Sequence, residues 1–229
     1  LTIAGLPQGA DTPATRLADV QQHIGSACRT SGRDSASVAL VAVSKTFGAD
    51  SITPLLAAGQ RRFGENRVQE AAGKWPALCA EWPGVELHLV GQLQSNKVAE
   101  AVALFDVIHA VDRPSLVTAL ARALAATDRR PRLLVQVNIG NEPQKGGCAI
   151  AETPALIASA RAAGLQIHGL MAVPPAETDP APYFALLHKM ARDLALPEVS
   201  MGMSGDYPLA VQLGATMVRV GSALFGGRG

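Results

Sequence analysis

The chain has 229 residues, 48% of them hydrophobic and 17% charged, a composition that can bury a large core and excludes intrinsic disorder. A formal net charge of +1, spread over scattered basic residues, leaves no electrostatic footprint for nucleic acid. Arg, Asp or Pro interrupts every apolar stretch before it reaches membrane-spanning length, and Leu1 to Pro7 lacks the basic start and long apolar core of a secretory signal. The expectation is a cytosolic (cytoplasmic) protein with no membrane partner, folded as one domain over residues 1–229 with a core at about 13–226.

In chain order, Asp11 to Ser31 predicts a helix with Leu17, Val20 and Ile24 on one face. Strand-like runs follow at Val38 to Ser44, Arg61 to Gly64, Val85 to Gly91, Val107 to Val111, Leu133 to Ile139, Gln166 to Val173, Val199 to Met203 and Thr216 to Val220. Ala- and Leu-rich stretches with helical spacing separate them, such as Ser115 to Ala126 and Pro154 to Gly164, the latter closing on a C-cap glycine. Pro174 to Pro180 reads as a strand-to-helix loop. Eight β-then-α units imply parallel strands with crossover helices, and favour a closed α/β barrel, the (β/α)₈ TIM barrel, over an open doubly wound sheet. Only Gly221 to Gly229 follows the last strand, so the leading helix is expected to fill the gap in the outer ring.

Chemistry in such a barrel sits at the carboxyl ends of the strands. Lys45 closes the apolar run Val38-Ala-Leu-Val-Ala-Val-Ser-Lys45 with no acidic residue beside it in sequence. It reads either as an amine held partly out of water, placed to attack a carbonyl and form a Schiff base, or as a snorkelling strand-end lysine. Ser204-Gly205 and Gly221-Ser222 lie in the last two loops, where glycine lets backbone N–H groups approach an anion, although such pairs also serve ordinary turns. Arg219, two residues before Gly221, shares its strand face and points inward. There it needs a carboxylate, for which Glu65 is a candidate, or a ligand acceptor. A lysine for a carbonyl, a phosphate cradle and an arginine for a ring nitrogen together describe pyridoxal 5′-phosphate (PLP). Cys28, Cys79 and Cys148 have no paired spacing, and His88, His109 and His168 fall within candidate strands, where core or rim roles are expected rather than metal ligation.

Val41-Ala-Val-Ser-Lys45, Phe63-Gly-Glu-Asn66, Val68-Gln-Glu70, His88 with Gly91-Gln-Leu-Gln-Ser-Asn-Lys97, Gly202-Met-Ser204 and Val218-Arg-Val-Gly-Ser222 resemble the pyridoxal phosphate homeostasis protein family. That family shares the barrel of alanine racemase, a fold type III PLP protein, without its second domain. The resemblance implies that Lys45 holds PLP as an aldimine, that Asn66 and Met203 line the cofactor, that Ser204, Gly221 and Ser222 contact its phosphate, and that Arg219 meets the pyridine nitrogen. It also implies a part in vitamin B6 supply and amino-acid homeostasis, and in some members a secondary PLP site at the position of Lys145; the expectation is a monomeric PLP carrier with PLP-dependent apoenzymes as candidate recipients. Arg67 departs from the aromatic residue usual after Gly-Glu-Asn, and Tyr207-Pro208 departs from the usual residues after the Asp; both bear on the rim. Arginine at the ring nitrogen weakens the ring as an electron sink, so robust catalysis is not expected. The alternatives are a PLP-dependent amino-acid racemase, with Tyr207 as the opposing acid/base, and a cofactor-free Schiff-base aldolase using Lys45 on a sugar phosphate. Tyr183 is expected to pack in a helix.

Overall fold

A computed structural model describes residues 11–226; the reading of Leu1 to Pro7 lies outside the described residues, as do 227–229. Eight strands, β1 (Ala39–Val43), β2 (Arg62–Glu65), β3 (Glu86–Leu89), β4 (Val107–Val111), β5 (Arg132–Val137), β6 (Ile167–Ala172), β7 (Glu198–Ser200) and β8 (Met217–Val220), close in sequential order into a barrel. All pairings are parallel, and β8 returns to β1 with Arg219 opposite Val41. The helices are α1 (Pro13–Thr30), α2 (Ala49–Ala57), α3 (Val68–Glu81), α4 (Val98–Leu104), α5 (Pro114–Ala125), α6 (Thr153–Ala162), α7 (Ala181–Asp193), α8 (Tyr207–Gln212) and α9 (Ser222–Phe225).

Alternation of side chains across each strand divides the core in two. Outward-facing residues such as Phe63, Leu87, Ile108 and Val218 pack under the helices, where Trp75 of α3 meets Phe63 with ring centroids 5.0 Å apart. Helix α1 starts on a Thr12–Thr15 capping box and buries Leu17, Val20 and Ile24. It packs against α8 and α9, and Arg16 Nε donates to Leu224 O at 2.8 Å. The leading helix thus occupies the part of the outer ring that the four-residue α9 is too short to cover. The seventh strand is shorter than its expected span to Met203, because Gly202 turns the chain out of the sheet at φ 90°.

The barrel interior holds a small apolar set, Val107, Leu134, Met171 and Met217, and beside it a polar column. At the amino ends of the strands, Glu86 accepts from Arg62 at 3.3 Å and from Arg132 at 3.1 Å, and Arg132 also pairs with Glu198. From Glu86 the column runs upward through His88 Nε2 at 2.9 Å, from His88 Nδ1 to His109 Nε2 at 2.9 Å, from His109 Nδ1 to Ser200 Oγ at 3.0 Å, and on to Arg219 at 2.6 Å. His88, His109, Ser200 and Arg219 are all buried.

Burial pushes the pKa of His88 down and that of His109 further down, with His88, Arg219 and Arg132 adding repulsion at His109. Both imidazoles are therefore neutral in the folded protein at neutral pH, while the unfolded chain titrates near the ordinary 6.5. A depressed histidine stabilises the fold above its unfolded pKa, and that stability is lost as pH falls below it, because only the unfolded state takes up the proton. Glu86 is lowered from 4.5 to about 2, chiefly by its hydrogen bond to His88, so its contribution is present above 4.5 and lost as pH falls through about 2. Urea unfolding should show stability falling from pH 7 to pH 5 by at most about 1.4 kcal/mol per pH unit for each histidine. His109→Gln should flatten that slope; an unchanged slope would place the titration elsewhere.

Candidate functional site

The carboxyl end of the barrel opens into a cavity of about 470 Å³, within the range of small-ligand sites. Lys45, Asn66, Met203, Ser204, Arg219, Gly221 and Ser222, which the sequence singles out from four separate segments, all line it, with Val43, Thr46, Phe47, Val90, Val173 and Gly205 among their neighbours. Lys45 follows β1 in a turn closed by Phe47 N donating to Ser44 O at 3.1 Å. Lys45 is exposed and stands at the mouth of the cavity.

The turn is strained and braced from behind. Thr46 adopts φ 68°, a left-handed conformation that a β-branched residue populates at a cost of about 1–3 kcal/mol. Glu70 of α3 accepts from Thr46 N at 2.5 Å. Lys74, one helical turn on, donates to Ser44 O at 3.0 Å and Phe47 O at 2.9 Å and pairs with Glu65 Oε1 at 2.9 Å. Ser44 Oγ and Trp75 Nε1 also donate to Glu65, at 2.5 and 3.0 Å. Glu65 therefore faces outward onto α3 and is not the partner of Arg219, contrary to the alternative raised from sequence.

Arg219 instead donates through one terminal nitrogen to Ser200 Oγ at 2.6 Å and through the other to Ala172 O at 2.9 Å. Both acceptors are neutral, and among the described residues no carboxylate lies within ion-pair distance. Burial pushes its pKa down to about 10, with Asp206 opposing the shift from a distance, so it stays charged at neutral pH. A buried guanidinium edging a cavity, bonded only to neutral groups, retains capacity for a ligand acceptor.

On the same side, Ser204 Oγ accepts from Gly221 N at 3.2 Å and Ala223 N at 3.4 Å. With both bonds received, its hydroxyl proton points elsewhere and is available to an anion. Asp206 holds the preceding turn by accepting from Met203 N at 2.6 Å. Asn66 is set by a close approach of two strand ends: a Cβ on Gly91 would lie 2.3 Å from Asn66 O, so only glycine fits there.

Three residues raised from sequence lie apart. Lys145 donates to Pro174 O at 3.1 Å and pairs with Glu142 at 2.6 Å in the loop after β5, outside the cavity lining. Tyr207 begins α8 and its phenol meets His23 Nδ1 of α1 at 3.0 Å, so it braces the outer ring instead of facing Lys45 across the cavity. Tyr183 packs within α7, as expected. The brace around Lys45 went unnoticed in the sequence, although Glu70 and Lys74 have the i,i+4 spacing that marks a helical ion pair.

A family profile described as alanine racemase, N-terminal domain, matches residues 17–229. The pyridoxal phosphate homeostasis protein of Pseudomonas aeruginosa is 40% identical over 95% of this chain and 96% of its own length. Its counterpart in Escherichia coli K12 is 37% identical over 94% and 96%. This chain belongs to the pyridoxal phosphate homeostasis protein family. Among solved structures, PipY of Synechococcus elongatus without PLP superposes with a TM-score of 0.85 at 40% identity, covering 94% of this chain and all 100% of that one. The PLP-bound structure of PipY gives 0.79 over the same coverage. Alanine racemase of Bartonella henselae, at 19% identity and a TM-score of 0.69, shares the fold over 94% of this chain and 58% of its own.

The brace around the Lys45 turn can be tested. Lys74→Ala should leave the Glu65 carboxylate, fully buried, without its cation and lower unfolding stability by about 3–5 kcal/mol. Urea denaturation checks the loss, and Lys74→Met combined with Glu65→Gln should recover part of it. Equal loss in the single and double variants would mean that charge burial is not the cause.

Proposed function

We propose that this chain binds PLP in the cavity, through Lys45, and serves as a carrier in intracellular PLP homeostasis. The observation that carries the reading is Arg219: a buried cation with two neutral partners, edging a cavity whose mouth bears a lysine and whose far side bears a serine hydroxyl without an acceptor among the described residues. That donor set fits the cofactor end to end. PLP, when bound, supplies an aldehyde that condenses with a primary amine and a pyridine ring able to draw electrons from what is attached to it. Lys45 provides the amine. Ser204 and Ser222 offer hydroxyl donors to the phosphate and Gly205 a backbone N–H, while Gly221 keeps the chain beside them free of a side chain.

Arg219 would meet the ring nitrogen of bound PLP as a donor that, still charged at neutral pH, keeps its proton. The ring is left a weak electron sink. Tyr207 is engaged with His23, so no tyrosine among the described residues faces Lys45 as a second acid/base, which supports a carrier over a racemase. Family relatives carry the name pyridoxal phosphate homeostasis protein, and PipY has been solved with PLP bound. Delivery of PLP to dependent apoenzymes, and a monomer acting in the cytoplasm, complete the proposal. No described helix is long and apolar enough to cross a membrane.

Borohydride reduction of the PLP-loaded protein followed by peptide mapping tests the reading. The expected result is a single pyridoxyl mass on Lys45, absent in a folded Lys45→Ala variant. Label spread over surface lysines, or a colourless protein that condenses aldehydes, would favour a cofactor-free aldolase. Ser204→Ala and Ser222→Ala should each weaken PLP retention by roughly 0.5–3 kcal/mol. Equilibrium dialysis reads the change, and an unaltered affinity in the double variant would remove both serines from the site.

A further inference from the structure

The column inside the barrel ends on Arg219, and its hydrogen bonds have only one consistent direction. Arg219 can only donate, so Ser200 Oγ accepts at 2.6 Å. Among the described residues its one other partner is His109 Nδ1 at 3.0 Å, and because the ionised Glu86 carboxylate at the far end can only accept, neutral His88 and His109 both carry their protons on Nε2 and the serine proton goes to Nδ1. His109 Nε2 thus donates to His88 Nδ1 at 2.9 Å, and His88 donates from Nε2 to the Glu86 carboxylate at 2.9 Å. Burial keeps both imidazoles in the neutral form that this scheme requires. Every bond therefore points from the cation at the cavity to the carboxylate at the opposite end of the barrel, and each hydrogen bond in such a chain polarises the next.

We propose that Glu86, His88, His109 and Ser200 are positioning residues for Arg219, a directional hydrogen-bond column that fixes the guanidinium against the ring nitrogen of bound PLP and conveys to it the charge of Glu86. The proposal rests on the cofactor reading above and extends it to residues outside the cavity. Ser200 Oγ and Ala172 O together hold both terminal nitrogens of Arg219, so the guanidinium plane is set before PLP enters. The carboxylate at the far end is shared with Arg62 and Arg132 and is only partly buried, whereas the imidazoles between are fully enclosed. The column thus links a solvent-facing ionic cluster at one end of the barrel to the ligand site at the other.

PLP labelled with ¹⁵N at the ring nitrogen, bound to wild type, His109→Gln, His109→Leu and Glu86→Gln, provides the test by NMR. A glutamine amide presents an oxygen toward Ser200 and an N–H toward His88, so it keeps the direction of the column; leucine cuts it. The ring resonance of His109→Gln should stay close to wild type. That of His109→Leu should be displaced, with PLP dissociating about three- to tenfold faster. Glu86→Gln lies at the part-exposed end, where folding is least at risk, and should displace the resonance in the same direction by a smaller amount. If His109→Leu does not fold, Glu86→Gln alone decides. Identical ring resonances in all folded variants would reduce the column to a structural role and overturn the proposal. Failure of wild type to take up PLP would overturn the cofactor reading itself, and is distinguishable because the histidine ¹⁵N shifts of the unloaded protein would still report both Nε2–H tautomers.

Discussion

A guanidinium enclosed in the barrel, with no carboxylate in ion-pair distance among the described residues, is the constraint around which the cavity end of this protein is organised. Burying a charge is costly unless hydrogen bonds replace the lost water, and among the described residues the Arg219 guanidinium finds two acceptors, a serine hydroxyl and a backbone carbonyl. Had Glu65 pointed inward, the charge would have been neutralised and the cavity wall would have lost its donor. Alternation along β2 instead puts Glu65 on the face of Phe63, toward α3, and leaves Gly64 and Asn66 on the barrel side. The acid and the base are kept apart by the pleat of the strands, and each is answered by a different network.

Those networks do different physical work. On the outside, Glu65, Glu70, Lys74, Ser44 and Trp75 form a dense cluster that restrains the turn carrying Lys45, including the left-handed Thr46. Its effect is to let an exposed lysine project from a rigid base, so that the amine is accessible while its backbone is not free to move. On the inside, the imidazole column satisfies the polar atoms of the barrel core and directs them toward Arg219. Stacking of Phe47 on Phe225, with centroids 4.5 Å apart, and the hold of Arg16 on α9 join the lysine turn to the segment that follows β8. The cavity is thereby closed by contacts between the two ends of the strand order.

Much of the fold was legible because its signals are local. Strands such as β1, β4 and β8 are short runs rich in Val or Ile, the longer helices carry a 3.6-residue apolar repeat, and eight alternations of strand and helix admit few topologies. Lys45, Arg219 and the two Gly/Ser pairs were legible for a related reason: in a parallel barrel, position at a strand's carboxyl end is position at the site. Alternatives stayed open where a side chain had two faces or two partners to choose between. Lys45 is exposed at the cavity mouth although the run before it is wholly apolar, because the strand ends at Val43 and the chain turns over Ser44 to Phe47. Tyr207 follows the site in sequence by only a few residues, yet α8 carries its ring to α1 on the outer wall. The last part of the seventh predicted strand left the sheet at a glycine whose conformation a hydrophobic pattern does not reveal.

By itself the sequence determined the class of the protein: the order of strands and helices, the lysine and arginine at strand ends, and the motifs that place the chain in its family. These follow from periodicity and from adjacency along the chain, and adjacency is what a sequence records. Only the tertiary structure decided which polar groups meet. His88 and His109 are 21 residues apart, and His109 and Ser200 are 91 apart, so no local pattern announces a column whose members share nothing but a height inside the barrel. That height is set by how far each strand is shifted relative to its neighbours as the sheet closes, a property of the whole ring of strands rather than of any one segment.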